Sequence, residues 1–204
     1  MRNEQIKKIA FAGIIIGLII IMSFTMLGFI TIASGASITL VHIPVLIGAI
    51  VLGKKYGTIL GLIFGICSII LAFMNIATNA PFTNPIVSIL PRIAFGFLIV
   101  PLYNLIKKLI KNDVASTTFT MGLATFIHTV IVLVPMYIVW RTNFYLGVAD
   151  YTANYGDGTG TNLFAIIFSI LLANGLIEIA LAAVVGTPIA MAMKVVLKQN
   201  KIEE

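Results

Sequence analysis

HIPVLIGAIVLGKKYGTILGLIFGICSIILAFM, residues 42–74, decides the fold. Two apolar runs, His42–Gly53 and Tyr56–Met74, flank the pair Lys54-Lys55, and the second run carries no charged residue. An uncharged apolar run of about 18 residues or more reads as a helix crossing lipid. The pair of lysines between two such runs reads as a tight turn at the membrane surface. The rest of the chain repeats the pattern: 60% of the 204 residues are hydrophobic, 10% are charged, and mean hydropathy is +1.11. A soluble domain of this size has no means of burying so much apolar surface, so lipid is the solvent for much of it.

Working outward, the expected fold is all-α, a single polytopic membrane domain over residues 1–204. Its six spans are expected at about 9–30, 38–53, 56–74, 85–106, 118–140 and 163–186. The second is short, since a dozen residues give about 18 Å of helix against ~30 Å of hydrocarbon. It therefore begins near Ile38 or lies partly covered by other helices. Pro188 breaks or ends the sixth. The apolar run Ile9–Ile32 exceeds the ~7–15 residues of a signal-peptide core, so it reads as a retained first span.

An even number of spans places both termini on one side. That side collects Arg2, Lys7, Lys8, Lys54, Lys55, Lys107, Lys108, Lys111, Lys194, Lys198 and Lys201, which is 11 of the 13 Lys and Arg residues. By the positive-inside rule this side, with both termini, is cytoplasmic, and the expected location is a bacterial cytoplasmic membrane with multiple passes. The net charge of +6 is thereby assigned to anionic headgroups and not to nucleic acid. Longer polar loops fall on the opposite, outer face, where a site is expected to open.

Arg92 and Arg141 are the cations left over. Arg92 follows Asn84-Pro85 and Pro91 at the outer start of span four, with Asn84 as N-cap and Pro85 at the first helical position. A cation there opposes the helix macrodipole, and at mid-membrane it costs by insertion scales about 2.5–3.5 kcal/mol. An anionic ligand opposite would draw on both the guanidinium and the helix terminus. Snorkelling to headgroups is the rival reading. Glu178, with Asn174 one turn earlier on the same face, is a deep carboxylate in span six. It either binds a ligand hydroxyl or amine, pairs with Arg92, or is protonated. His128 falls mid-span in span five, as packing or as ligand contact. Asn75, Asn79, Tyr137 and Trp140 cluster at outer span ends. Gly57, Gly61 and Gly65 recur every fourth residue, as do Gly13 and Gly17, so each set lies on one helix face for internal packing or for docking a partner.

The chain holds one cysteine, Cys67, and two histidines on different spans, so a Cys-based metal site or disulfide framework is not expected. There is no nucleophile–base pair, and Gly156–Gly160 lacks the Lys-Ser/Thr of a phosphate loop. An enzyme is not expected. A proton-coupled secondary transporter using Glu178 and His128 is the rival from another class, but no inverted repeat is detectable.

TLVHIPVLIGAIVLGKKYGTILGLIFG (Thr39–Gly65) and TNPIVSILPRIAFGF (Thr83–Phe97) together resemble the substrate-binding S components of energy-coupling factor (ECF) vitamin transporters. The pattern Asn84, Pro85, Ser88, Pro91, Arg92 is most similar to pantothenate-type members. The resemblance implies a chain that captures one vitamin from outside and works with a membrane T component and two ATPase subunits, which use ATP on separate chains. It holds no cofactor of its own. Substrate contacts are expected at Arg92, Asn84, Asn174, Glu178, His128, Asn75 and Trp140, and the resemblance implies docking of the T component at Gly13 and Gly17. An anionic vitamin such as pantothenate is expected, with folate and riboflavin as alternatives.

Overall fold

The structure, a computed structural model, describes residues 2–25, 27–31, 37–74, 79–142 and 174–199. Helix α1 (Arg2–Phe24) leads into a short antiparallel hairpin, β1 (Phe29–Thr31) with β2 (Ser37–Thr39), in register Ile30 to Ile38. Helices α2 (His42–Leu52) and α3 (Lys54–Met74) follow. A 3₁₀ turn, Ala80–Thr83, and the single helical turn Pro85–Ser88 introduce α4 (Leu90–Leu109). Then come α5 (Asp113–Thr142) and α6 (Asn174–Leu197).

The architecture is all-α and polytopic, but the expectation of six spanning helices does not hold. Among the described residues five helices are long and apolar enough to cross: Gln5–Phe24, Lys54–Met74, Pro85–Leu109, Asp113–Val139 and Asn174–Leu197. With 11 residues, α2 reaches only about 16 Å at ~1.5 Å per residue, roughly half of the hydrocarbon thickness. It does not start earlier, because Ser37–Thr39 is committed to the hairpin.

What α2 does instead follows from its composition. Apart from His42 it is apolar, and a helix without a polar stripe belongs inside a bundle. His42–Ile50 are all buried. The helix runs back along α1, with Val41 beside Gly28 and Gly48 beside Ile15 and Leu60. Gly53, at φ +103° and ψ 175°, then turns the chain into α3, in backbone territory that favours glycine.

The α3 glycines face inward. A Cβ on Gly57 would stand 2.6 Å from both Ala49 Cβ and the Gly96 carbonyl oxygen, and one on Gly65 would stand 2.9 Å from Ile89 Cα. At Gly61 it would collide with the Arg92 carbonyl oxygen. This stripe is therefore the seam between α3 and α4, where absent side chains let two backbones touch. By contrast, a Cβ on Gly13 or Gly17 meets nothing within 4 Å.

Pro188 does not end α6. The preceding turn, Ala182–Gly186, is a π-helix, and α-helix resumes at Thr187. The pyrrolidine ring of Pro188 would clash with the carbonyl four residues back, Val184, and the wider π turn gives that carbonyl room. The ends of α4, α5 and α6 meet around Asp113. Lys107 Nζ donates to its Oδ1 at 2.7 Å, Tyr103 Oη donates to the same oxygen at 2.7 Å, and Lys194 Nζ reaches Oδ2 at 3.2 Å. The cationic ends of α4 and α6 are thus gathered with the acidic start of α5 at one end of the bundle.

Candidate functional site

At the other end, Pro91 shapes the entry to α4. It has no N–H to donate to Val87, four residues back, and so leaves that carbonyl without its helical partner. The adjacent Arg92 fills the gap: its Nη1 donates to the Val87 carbonyl oxygen. Asn84 Oδ1 accepts from the Ile86 N–H at 3.0 Å and caps the Pro85–Ser88 turn. Ser88 Oγ donates to the Phe82 carbonyl oxygen. Consecutive residues of the Asn-Pro-x-x-Ser-x-x-Pro-Arg stretch thereby brace one another, and the guanidinium is fixed at the end of the chain of contacts.

Arg92 does not snorkel; it is 5% exposed. Its guanidinium carbon lies 5.2 Å from the Phe82 ring centroid and 5.6 Å from that of Phe64, within cation–π range of both. Among the described residues no carboxylate forms an ion pair with it, and its Nε has no hydrogen-bond partner. A buried guanidinium held between two rings, with no carboxylate paired to it among the described residues, is prepared for an anion.

Phe64 also carries the second half of the site. His128 lies 5.9 Å from it and 4.6 Å from Phe95, and stacks on His42 at 5.3 Å with an interplanar angle of 15°. His42 Nε2 is 3.2 Å from Thr125 Oγ1. Both imidazoles are buried. Glu178 is buried on α6, away from any cation within ion-pair distance among the described residues. Its Oε1 accepts the Thr39 N–H at 2.6 Å, which ties the hairpin to α6. Asn174, one turn earlier, is also buried.

Arg92, His128, Asn84, Asn174 and Glu178 therefore all stand at the hairpin end of the bundle. Asn84 Oδ1 is occupied by capping, and Glu178 holds backbone. Asn75 and the side chain of Trp140 lie outside the described residues, as does the segment 143–173 that includes most of the long polar loop. Reading by sequence passed over His42, Phe64, Phe82, Phe95 and Thr125. Four of them are ordinary apolar or small polar residues of membrane helices, and nothing marks them until the helices are assembled. His42 carried a signal, being one of only two histidines, but its place at the start of a span made it look interfacial.

Comparison with known proteins gives a consistent answer. The family model described as "ECF transporter, substrate-specific component" matches residues 7–190. A protein of Leuconostoc mesenteroides named "Pantothenate transporter PanT" is 30% identical over 203 residues, covering 93% of this chain and 97% of its own. A protein of Lactococcus lactis subsp. cremoris named "Pantothenic acid transporter PanT" is 25% identical over 170 residues, covering 76% of each.

Proposed function

Given that the chain belongs to the family of ECF transporter substrate-specific components, a membrane-embedded and non-catalytic transport subunit, we propose that its cargo is an anionic vitamin and that this vitamin is pantothenate. The observation that carries the reading is Arg92, buried between two aromatic rings with no carboxylate opposite among the described residues. A vitamin carboxylate supplies the missing charge, and in this dry setting the pair forms hydrogen bonds stronger than neutral ones. The names carried by the two relatives support the choice of pantothenate over folate or riboflavin. The cation-rich end around Lys107 and Lys194 faces the cytoplasm, and the Arg92 end faces outward. His128, which shares the Phe64 ring with Arg92, and Asn174, at the same end of the bundle, supply polar contacts to the cargo, and the open α1 face at Gly13 and Gly17 meets a membrane T component. Two ATPase subunits on separate chains provide the energy.

The test is calorimetric titration of the purified chain in detergent with pantothenate, riboflavin, folate, thiamin and biotin. Nanomolar binding of pantothenate is expected, with at least a tenfold loss in Arg92→Ala and little change in the melting temperature of the empty protein. Unchanged affinity in Arg92→Ala, together with an unstable empty protein, would reduce the arginine to a brace for the Val87 carbonyl.

A further inference from the structure

Three buried side-chain nitrogen atoms without a hydrogen-bond partner among the described residues converge on one place. They are Arg92 Nε and both ring nitrogens of His128. Leaving such groups dry and unpaired is costly, so natural interiors pair nearly all of them. A cluster of exceptions calls for an occupant.

The bonding pattern says what kind. The Thr125 hydroxyl has one hydrogen, which it donates to the Met121 carbonyl oxygen at 2.8 Å. His42 Nε2 lies 3.2 Å from this hydroxyl, and the same ring makes a backbone hydrogen bond at Thr39, so His42 is held by the protein. Stacking holds the two rings in register at 5.3 Å. His128, uncharged, offers one donor and one acceptor, both free of protein partners among the described residues. The cluster thus presents Arg92 for an anion and, beside it, one imidazole acceptor on His128 that only an O–H or N–H can satisfy. Phe64 touches both groups, so one small molecule can bridge them.

We infer that His128, held by its stack on His42, is a hydrogen-bonding subsite for a hydroxyl or amide N–H of the cargo, set next to the anion-binding guanidinium of Arg92. The inference rests on the vitamin-binding reading above and narrows it: a carboxylate alone is insufficient, and the ligand carries a donor on its uncharged part. A site built to pair a donor rejects the analogue lacking it far more strongly than an apolar wall would. It also implies a trade between function and stability. Two unpaired nitrogens burden the empty protein, so removing them relieves it.

The variant is His128→Met, apolar and of similar length, in the full chain. Both proteins are titrated with the five vitamins named above and with N-(3,3-dimethylbutanoyl)-β-alanine, which keeps the carboxylate and amide of pantothenate but lacks both hydroxyls. The empty proteins are melted in parallel. The expected results are at least a tenfold loss of affinity for whichever vitamin binds the wild type, with the empty variant melting at or above the wild-type temperature. His128→Asn, which keeps a donor and an acceptor, recovers part of the affinity. Undiminished affinity in His128→Met, or a variant that melts well below wild type and binds normally when cooled, overturns the subsite and makes the pair core packing. If riboflavin or another vitamin binds in place of pantothenate, the choice of pantothenate fails while the subsite is still decided by the variant. If none binds the wild type, both readings fall. Where pantothenate binds, its dihydroxy-free analogue separates the donors: at least a tenfold weaker affinity assigns the subsite to a hydroxyl, and equal affinity assigns it to the amide N–H.

Discussion

Gly61→Ala adds one methyl group at the closest approach of α3 to α4. The new carbon would overlap the carbonyl oxygen of Arg92, with the carbonyl carbon at 3.0 Å and Gly96 Cα at 3.4 Å. These are backbone atoms, so no side chain can swing aside. Restoring ordinary contact at ~3.5 Å moves one helix away from the other by on the order of 1 Å. Overpacking of this kind costs about 1–3 kcal/mol. The displaced residue is Arg92 itself, and sites held about 1 Å out of place lose much of their affinity. The account therefore expects Gly61→Ala to lower the melting temperature and to weaken pantothenate binding at least tenfold. Gly17→Ala is the control: its added carbon meets nothing within 4 Å, and alanine is favoured over glycine in a helix interior by about 1 kcal/mol. The assay pairs thermal unfolding in detergent with calorimetric titration. If Gly61→Ala melts and binds like wild type, the α3–α4 seam does not position the guanidinium and the reasoning fails.

Three further changes follow from the same geometry. Glu178→Gln keeps a carbonyl oxygen for the Thr39 N–H, so stability should hold, whereas Glu178→Ala leaves that amide unpaired and costs about 1–3 kcal/mol in thermal or denaturant unfolding. Asn84→Ala removes the cap on Ile86 N–H, with an expected loss of about 1 kcal/mol and a loosened Arg92 that shows as weaker binding. Asp113→Asn dissolves the contacts to Lys107 and Lys194. Because Asp113 and Lys107 are partly exposed, the loss should be only about 1 kcal/mol and should shrink as salt is added.

Much of the fold was legible because membrane helices announce themselves through length and the absence of charge. Arg92, His128 and Glu178 stood out for the same reason, as polar groups where polar groups are expensive. The miscount of spans arose at α2: eleven apolar residues between polar flanks look like a short crossing, and only packing against α1, α3 and α6 shows a helix sheltered from lipid. The hairpin Phe29–Thr39 was unreadable because three residues per strand give no usable alternation. Spacing of glycines gave two equal stripes in sequence, yet one is a helix seam and the other an open face, a distinction that only the neighbours decide. The aromatic wall of the site was hidden for the opposite reason: phenylalanine in a membrane helix is ordinary, and Phe64, Phe82 and Phe95 come together from separate elements.

The most direct measurement compares pantothenate with pantothenol, in which a primary alcohol replaces the carboxylate and the rest of the molecule is retained. Titrated into the purified chain, pantothenate should bind in the nanomolar range and pantothenol at least a hundredfold more weakly, with the difference abolished in Arg92→Ala. Equal affinity for the two in the wild-type protein would contradict the claim that a buried guanidinium selects the cargo by its negative charge.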